Sequence, residues 1–169
     1  MPSPIDPARW GAIKLFATDV DGVLTDGTIH VAGNGIESKI FSVLDGLGMV
    51  KLMRAGIAVA WISGRASDAT TVRAAELKIT HVIQGRSDKH VALPALAAQL
   101  GLSAEQCCYV GDDDIDTGAI TWAGIGCAPG DSMPSALHAA DYVTARPGGR
   151  GAVREICEHI LAAGGPTSR

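Results

Sequence analysis

Two aspartates separated by one residue, Asp19 and Asp21, offer the clearest chemistry in this sequence. They follow an apolar run at residues 13–17 and are followed at once by Gly22. The run predicts a buried strand, and ligands of open α/β sheets bind beyond the carboxyl ends of the strands. We therefore expect both carboxylates at a crevice, where a divalent metal could hold one and a reacting group could meet the other.

Further polar groups occur at later predicted strand ends and at one helix start. Ser63-Gly64-Arg65 comes after the apolar run 57–62, and Lys89 lies at the start of a helix. An acidic segment follows the strand predicted at 107–110, and its candidate site residues are Asp112, Asp113 and Asp116. Together with the first pair, this order suits transfer of a phosphoryl group through a covalent aspartyl intermediate.

Each group has a predicted role in that chemistry. Asp19 would be the nucleophile, and Asp21 would protonate the leaving alkoxide and then deprotonate the hydrolytic water. Ser63-Gly64-Arg65 would donate hydrogen bonds from its hydroxyl and amides to phosphoryl oxygens, while Lys89 would balance negative charge. A magnesium ion would neutralise the repulsion between carboxylate and phosphate. Its candidate ligands are Asp19, Asp21, Asp112, Asp113 and Asp116.

Each segment also has a structural explanation when it is considered alone. Residues 19–22 could form a turn with helix-capping aspartates, and residues 112–116 could be a solvated acidic turn. Ser63 could cap a helix, and Lys89 could be a surface residue. An EF-hand loop is excluded because Leu24 occupies the position that requires glycine. The occurrence of all four segments in this order favours phosphoryl transfer.

Predicted strands alternate with predicted helices, which is typical of a doubly wound, mostly parallel α/β sheet. Two short runs around a glycine-rich turn, 28–31 and 38–41, predict a β-hairpin after the first strand. One helix is predicted from Asp45 as N-cap to Gly56, and another opens at Ser87-Asp88, with Pro94 expected to kink or interrupt it. The remaining strands are predicted at 57–62, 81–83, 107–110, 124–127 and 141–144, and the remaining helices at 66–77, 114–122, 133–139 and 149–163.

Length and composition restrict the class of protein. The 169 residues suffice for one domain, predicted over residues 1–169, and 47% of them are hydrophobic. The net charge of −4 favours neither a nucleic-acid nor a membrane partner. The cysteines lack metal-site spacing and are interpreted as reduced, buried hydrophobes. No signal-peptide core or membrane-length apolar run is found, so we expect a cytoplasmic protein, with a frayed tail at 164–169.

These motifs resemble those of the haloacid dehalogenase superfamily. The resemblance rests on Asp19-Val20-Asp21-Gly22-Val23, Ser63-Gly64-Arg65, Lys89 and Gly111-Asp112-Asp113 with Asp116. A closer resemblance, spanning residues 13–160, is to the 3-deoxy-D-manno-octulosonate 8-phosphate phosphatase family. It is carried by the segments 21–27, 45–48, 79–85, 140–144 and 148–155.

The resemblance implies a Rossmann-like domain without a cap, in which only the small hairpin at 28–41 is inserted. It implies a Mg²⁺-dependent phosphatase of a small phosphorylated sugar acid, in which Asp19 and Asp112 bind the metal through carboxylates and Asp21 through its backbone carbonyl. It also implies substrate contacts from Arg65, Arg73, Lys89, Asp45 and Gly46. Finally, it implies a homotetramer whose active sites are completed by a neighbour, including the C-terminal segment 149–169.

Two departures from that family leave the substrate open. Arginines usually stand at the positions of Leu44 and Val50, and neither replacement can clamp a carboxylate or phosphate. A nonulosonate 9-phosphate is therefore an alternative substrate. An accessory phosphatase-like subunit of a larger complex, such as a phenylphosphate carboxylase, is an alternative function. A phosphoacceptor signalling domain fits less well, because the order of the acidic groups along the chain differs.

Overall fold

Short apolar segments pair in parallel to form the central sheet of the computed structural model, which describes residues 5–164. Within these residues the sheet has six strands in the order β5-β4-β1-β6-β7-β8, and β2 and β3 form a separate antiparallel hairpin. In chain order the strands are β1 (Leu15–Thr18), β2 (His30–Val31), β3 (Glu37–Ser38), β4 (Ala58–Ile62), β5 (His81–Ile83), β6 (Cys107–Val110), β7 (Ile125–Ala128) and β8 (Tyr142–Val143). The predicted doubly wound, mostly parallel α/β class is confirmed.

The central position of β1 determines where the site lies. Thr18, its last residue, is level with Trp61 of β4 on one side and with Val110 of β6 on the other. The chain order reverses at β1, and ligands of such sheets bind in the crevice at that point. The segments that follow β1, β4 and β6 therefore meet at one edge of the sheet.

Helices cover both faces of the sheet. Within residues 5–164 they are α1 (Pro7–Gly11), α2 (Val43–Arg54), α3 (Asp68–Leu77), α4 (Lys89–Gln99), α5 (Thr117–Trp122), α6 (Pro134–Ala139) and α7 (Ala152–Ala163). Alternate residues of β1 point to opposite faces, as the twofold strand repeat requires. Phe16 packs with α1, α2 and α7, whereas Leu15 and Ala17 pack with α4, α5 and α6.

Several predicted helix details are corrected by the structure. Ser42, not Asp45, is the N-cap of α2, because the Ser42 hydroxyl accepts from the amide of Asp45 at 3.4 Å. Helix α4 continues through Pro94 without interruption. Proline has no amide to donate, so the carbonyl of His90 loses its usual partner while the helix persists within a packed face. Helix α1 was not predicted, although Asp6 as N-cap followed by Pro7 is a typical helix start.

The insertion between β1 and α2 is small. The two hairpin strands are two residues each, shorter than the predicted 28–31 and 38–41. Across residues 5–164 this hairpin is the sole element between β1 and α2, which agrees with the absence of a cap domain. No helix in the same range is long and apolar enough to cross a membrane. Apart from Gly164, the predicted frayed tail lies outside the described residues.

The four cysteines are buried and free, as predicted.

Candidate active site

Asp19 extends directly from the central strand of the sheet. Its amide donates to the carbonyl oxygen of Val110 at 2.9 Å, so its backbone is still held by the neighbouring strand β6. Its carboxylate Oδ1 accepts from the amide of Val20 at 2.7 Å. Only 5% of the residue is exposed. The carboxylate is therefore fixed and almost dry, as a preorganised nucleophile requires.

Lys89 joins Asp19 to a second carboxylate. Its fully buried Nζ lies 2.9 Å from Oδ1 of Asp19 and 2.7 Å from Oδ1 of Asp116. Asp116 Oδ1 also accepts from the Tyr109 hydroxyl at 2.6 Å. The other oxygen, Oδ2, accepts from the amides of Asp112 and Asp113 at 3.1 and 3.2 Å. Asp116 thus anchors the ammonium group and the acidic loop at the same time.

The carboxylates of Asp19, Asp112 and Asp116 each offer an oxygen within 4.8 Å of the others. Asp112 Oδ1 is buried and has no hydrogen-bond partner among residues 5–164, which is costly unless a cation binds it. Gly22 lies against this carboxylate, and a Cβ atom at residue 22 would overlap Oδ2. The cluster of hard oxygen donors, the unpartnered oxygen and the space left by glycine all fit a divalent cation such as Mg²⁺.

Burial and mutual repulsion perturb the titration of this cluster. Burial, with the nearby Asp116 charge, raises the pKa of Asp19 to about 7 despite the opposing effect of Lys89. Burial, with the charges of Asp19 and Asp116, raises the pKa of Asp112 to about 8. Burial alone would lower the pKa of Lys89, but the two carboxylates outweigh it and raise that pKa. Perturbation of this kind is typical of functional sites.

Asp21 is held by a lysine from the hairpin. Lys39 Nζ lies 2.7 Å from Asp21 Oδ1, and the two groups form an ion pair. The Lys39 side chain is fully buried, and its Nζ also donates to the Thr70 hydroxyl of α3 at 3.3 Å. The hairpin residue Glu37 pairs with Arg65 at 2.7 Å. The hairpin therefore contacts two predicted site residues, Asp21 and Arg65.

Ser63 and Gly64 extend from β4, the strand next to β1. Ser63 is buried, its amide donates to the carbonyl of Ile83 at 2.8 Å, and its hydroxyl accepts from the Arg65 amide at 3.3 Å. A Cβ on Gly64 would lie 3.4 Å from Cδ1 of Ile115, in the loop that carries the acidic cluster. The ends of β4 and β6 therefore converge, as the sequence predicts.

Other predicted site residues lie elsewhere. The Asp45 carboxylate is buried and accepts from the amides of Gly151 and Arg154 at 3.2 and 2.8 Å, so it binds the start of α7. Burial raises its pKa. Asp113 is exposed, and its Oδ1 accepts from the Asp114 amide, which caps the turn 114–116. Asp113 is outside the group of three clustered carboxylates.

Arg73 and Gly46 form a neighbouring pair. A Cβ on Gly46 would lie 2.7 Å from Arg73 Nη2, so glycine makes room for the guanidinium group. Arg73 Nη1 lies 2.8 Å from Glu76, and its buried Nε has no hydrogen-bond partner in the described part of the chain. Both residues line a small cleft with Asp45 and Trp61.

The chain is similar in sequence to proteins of a known family. The sequence profile of the haloacid dehalogenase-like hydrolases matches residues 57–156. The 3-deoxy-D-manno-octulosonate 8-phosphate phosphatase of Escherichia coli K12 is 44% identical over 153 residues, which are 90% of this chain and 81% of that protein. The chain belongs to the haloacid dehalogenase-like hydrolases, in the family of these phosphatases.

Solved structures of these phosphatases have the same fold. The Moraxella catarrhalis enzyme, crystallised with a magnesium ion, a phosphate ion and a KDO molecule, has a TM-score of 0.91 and 45% identity over 93% of this chain and 90% of that one. The cobalt-bound Haemophilus influenzae enzyme has a TM-score of 0.90 and 43% identity over 93% of this chain and 92% of that one.

Two residues of the candidate site, Tyr109 and Lys39, were not among the site residues predicted from the sequence. Tyr109 lies within a strand, and only the three-dimensional structure brings its hydroxyl to Asp116. Lys39 follows a two-residue strand in a hairpin and belongs to no predicted motif. The one indication in the sequence is that Lys39 lies in a predicted hairpin close to the predicted site. If a lysine there is buried, its ammonium group needs a negatively charged partner.

Of the two residues that replace the family's usual arginines, Leu44 lies on the surface and Val50 is half-buried. Leu44 is 48% exposed and lines a cleft with Lys51, Arg146 and Arg154. Lys51 lies 2.5 Å and Arg154 2.6 Å from Glu158, so both cations are already paired.

Proposed function

We propose that this phosphatase hydrolyses a phosphomonoester of a small sugar acid, with Mg²⁺ bound and through an aspartyl-phosphate intermediate on Asp19. The observation that carries the proposal is the position of Asp19, which is fixed by Lys89 and has a carboxylate oxygen within 4.8 Å of those of Asp112 and Asp116. A carboxylate attacks a phosphate dianion only if the negative charges are compensated.

Asp19 and Asp112 would hold the magnesium ion with their carboxylates, and Asp21 with its backbone carbonyl. Asp116 would act through Lys89 and the loop amides, because both of its oxygens are already hydrogen-bonded. When bound, the cation neutralises charge between the carboxylates and the phosphoryl group and orients that group. We do not assign Asp113 to the ligand set, because its carboxylate caps a turn.

The chain's own residues account for the two chemical steps. An Asp19 oxygen forms the bond to phosphorus as the ester P–O bond breaks, and Asp21 gives a proton to the departing alkoxide. Asp21 then takes a proton from a water molecule that attacks phosphorus and releases Asp19. Ser63 and the Gly64 amide are assigned to the phosphoryl oxygens, with Lys89 stabilising the charge on Asp19.

We propose 3-deoxy-D-manno-octulosonate 8-phosphate as the substrate, supported by 44% identity to the E. coli phosphatase named for it. Arg65 and Arg73 are assigned to its polar groups. Leu44 and Val50 favour the alternative of another acidic sugar phosphate, such as a nonulosonate 9-phosphate, because they remove two usual arginines.

A substrate panel tests this function. The protein is assayed against 3-deoxy-D-manno-octulosonate 8-phosphate, nonulosonate 9-phosphates, phenyl phosphate and simple phosphoesters, with Mg²⁺ and with EDTA. We expect Mg²⁺-dependent turnover that is fastest on the octulosonate ester. Preference for a nonulosonate ester would change the substrate and retain the mechanism. Absence of turnover on every compound would favour the accessory-subunit alternative.

A homotetramer in which neighbours complete each active site is also proposed. It is supported by large apolar side chains, 44% to 78% exposed, that follow one another along the hairpin and the start of α2. They are Val31, Ile36, Ile40, Val43, Leu44 and Leu47. Exposed patches of this kind are typical of interfaces. Light scattering at assay concentration tests this assembly, and a monomer that is fully active would contradict it.

A single hydrolase domain over 1–169 and a cytoplasmic location remain predictions. Limited proteolysis of the full chain and fractionation of cells that produce it would test them.

A further inference from the structure

The hairpin contributes a buried lysine to a site that is otherwise built at the ends of the sheet strands. Lys39 follows β3 directly, and its side chain has no exposed area. A buried ammonium group is stable only with counter-charges and hydrogen-bond acceptors around it. Its partners are Asp21 Oδ1 at 2.7 Å, the Thr70 hydroxyl at 3.3 Å and Glu37 Oε1 at 3.7 Å.

Asp21 depends on this lysine for its orientation. Asp21 Oδ1 is buried and accepts no hydrogen bond among residues 5–164, so the ion pair with Lys39 is the contact that restrains it. Asp19 differs, because the Val20 amide and Lys89 both hold its carboxylate. Proton transfer requires the donor and acceptor within hydrogen-bond reach, so a carboxylate free to rotate would be a poor acid and a poor base.

We propose that Lys39 is a positioning residue, which holds the Asp21 carboxylate in place for proton transfer and so makes the hairpin part of the catalytic machinery. This inference rests on the proposed function, because it concerns the step assigned to Asp21. In that step the ester P–O bond breaks, its electron pair remains on the departing oxygen, and the proton of Asp21 moves to that oxygen.

The dependence on the leaving group separates positioning from general structural support. The value of kcat/KM reports the steps up to the first irreversible one, which includes departure of the alcohol. An alkoxide leaving group needs a proton, whereas p-nitrophenolate leaves without one. Loss of correct Asp21 positioning should therefore lower kcat/KM for sugar-acid and alkyl phosphates more than for p-nitrophenyl phosphate. A distorted fold would lower both alike.

The experiment compares Lys39→Met with Thr70→Val, a matched control that removes another contact of the same ammonium group. We expect Lys39→Met to lower the ratio of kcat/KM on the sugar-acid phosphate to that on p-nitrophenyl phosphate by about 10- to 100-fold. Thr70→Val should keep that ratio within about fivefold of wild type. In an Asp21→Asn background, adding Lys39→Met should leave the ratio unchanged, because the two residues act as one unit.

Thermal melting and a crystal structure of the variant test the proposal further. Thermal melting checks that Lys39→Met folds. If it does not, Lys39→Gln, which also removes the charge but keeps a polar side chain, replaces it. A crystal structure of the metal-free variant should have the Asp21 carboxylate displaced. The proposal would be overturned if Lys39→Met left the ratio of the two kcat/KM values unchanged, or if its effect on that ratio added to the effect of Asp21→Asn. It would also be overturned if the Asp21 carboxylate had not moved in the crystal structure of the variant. Turnover by wild type tests the proposed function separately, since it does not depend on any Lys39 variant.

Discussion

Gly22 lies so close to Asp112 that a Cβ atom at residue 22 would overlap the Asp112 carboxylate. The backbone of Gly22 also has a positive φ of 90°, which costs a residue with a side chain about 1–2 kcal/mol. The catalytic loop after β1 and the acidic loop after β6 are therefore joined by a contact that only glycine permits.

Gly22→Ala should impair the metal site. The added methyl group must displace the Asp112 carboxylate, so we expect Mg²⁺ affinity, measured by titration calorimetry, to fall by at least about tenfold. Gly33→Ala is the matched control, because no atom of the described residues beyond its chain neighbours lies within 4 Å of a Cβ atom at that hairpin position. Equal Mg²⁺ affinity in the two variants would show that Gly22 does not shape the site.

Lys89→Met should destabilise the fold. It leaves the carboxylates of Asp19 and Asp116 buried without their cation, and breaking a buried pair in this way costs about 3–5 kcal/mol. Urea denaturation without metal measures the loss. Lys51→Met is the control, since Lys51 pairs with Glu158 at the surface and such pairs contribute at most about 1 kcal/mol. Similar losses of unfolding free energy in the two variants would contradict the burial of the ion pairs that Lys89 makes.

The metal-free protein should lose stability as pH rises. The pKa values of Asp19 and Asp112, about 7 and about 8, exceed the ordinary 3.8, so the folded state binds these protons more tightly than the unfolded chain. Their contribution is complete below pH 3.8 and is lost as pH rises through about 7 and 8. Urea denaturation with EDTA across this range measures the loss.

Mg²⁺ should reverse that trend, because the carboxylates bind the cation only when they have lost their protons. The stabilisation produced by Mg²⁺ is expected to grow between about pH 6 and pH 8. Asp112→Asn removes one of the two titrating carboxyl groups. It should therefore weaken the pH dependence of the unfolding free energy that is measured with EDTA. A stability of wild type that rises over this range without metal would contradict the assignment.

Asp45→Ala should destabilise the attachment of α7 to α2. The carboxylate satisfies two amides at the start of α7, and loss of a cap costs about 0.5–2 kcal/mol. Thermal or urea unfolding measures the effect. Asp68→Ala is the control, because Asp68 is an exposed residue in the first turn of α3. A large loss of activity with unchanged stability would instead indicate the substrate contact that the family resemblance implies.

The sequence was most informative where strand, turn and polar group coincide. The apolar run before Asp19 and the run before Asp112 each predicted a strand end, and parallel pairing brings those ends together. Contacts between distant segments could not be predicted in this way. Asp45 was interpreted as the cap of its own helix, yet its carboxylate binds amides more than 100 positions later in the chain.

Packing also changed local predictions. Pro94 is predicted to kink or interrupt a helix, and the structure rules out the interruption. The neighbouring Leu93 and Leu96 are buried on the sheet, and that burial offsets one lost hydrogen bond. The partner of Lys39 could not be inferred, because hairpin register and the approach of the hairpin to the catalytic loop depend on tertiary contacts.

The proposed aspartyl phosphate on Asp19 can be trapped chemically. Asp21→Asn is mixed with Mg²⁺ and substrate, quenched with acid and reduced with borohydride, which converts an aspartyl phosphate to homoserine. Mass spectrometry is expected to find homoserine at residue 19, because the variant forms the intermediate and hydrolyses it slowly. With p-nitrophenyl phosphate as substrate, departure of the leaving group needs no proton from residue 21. Unmodified Asp19 in a variant that still releases p-nitrophenolate would contradict a covalent intermediate on Asp19.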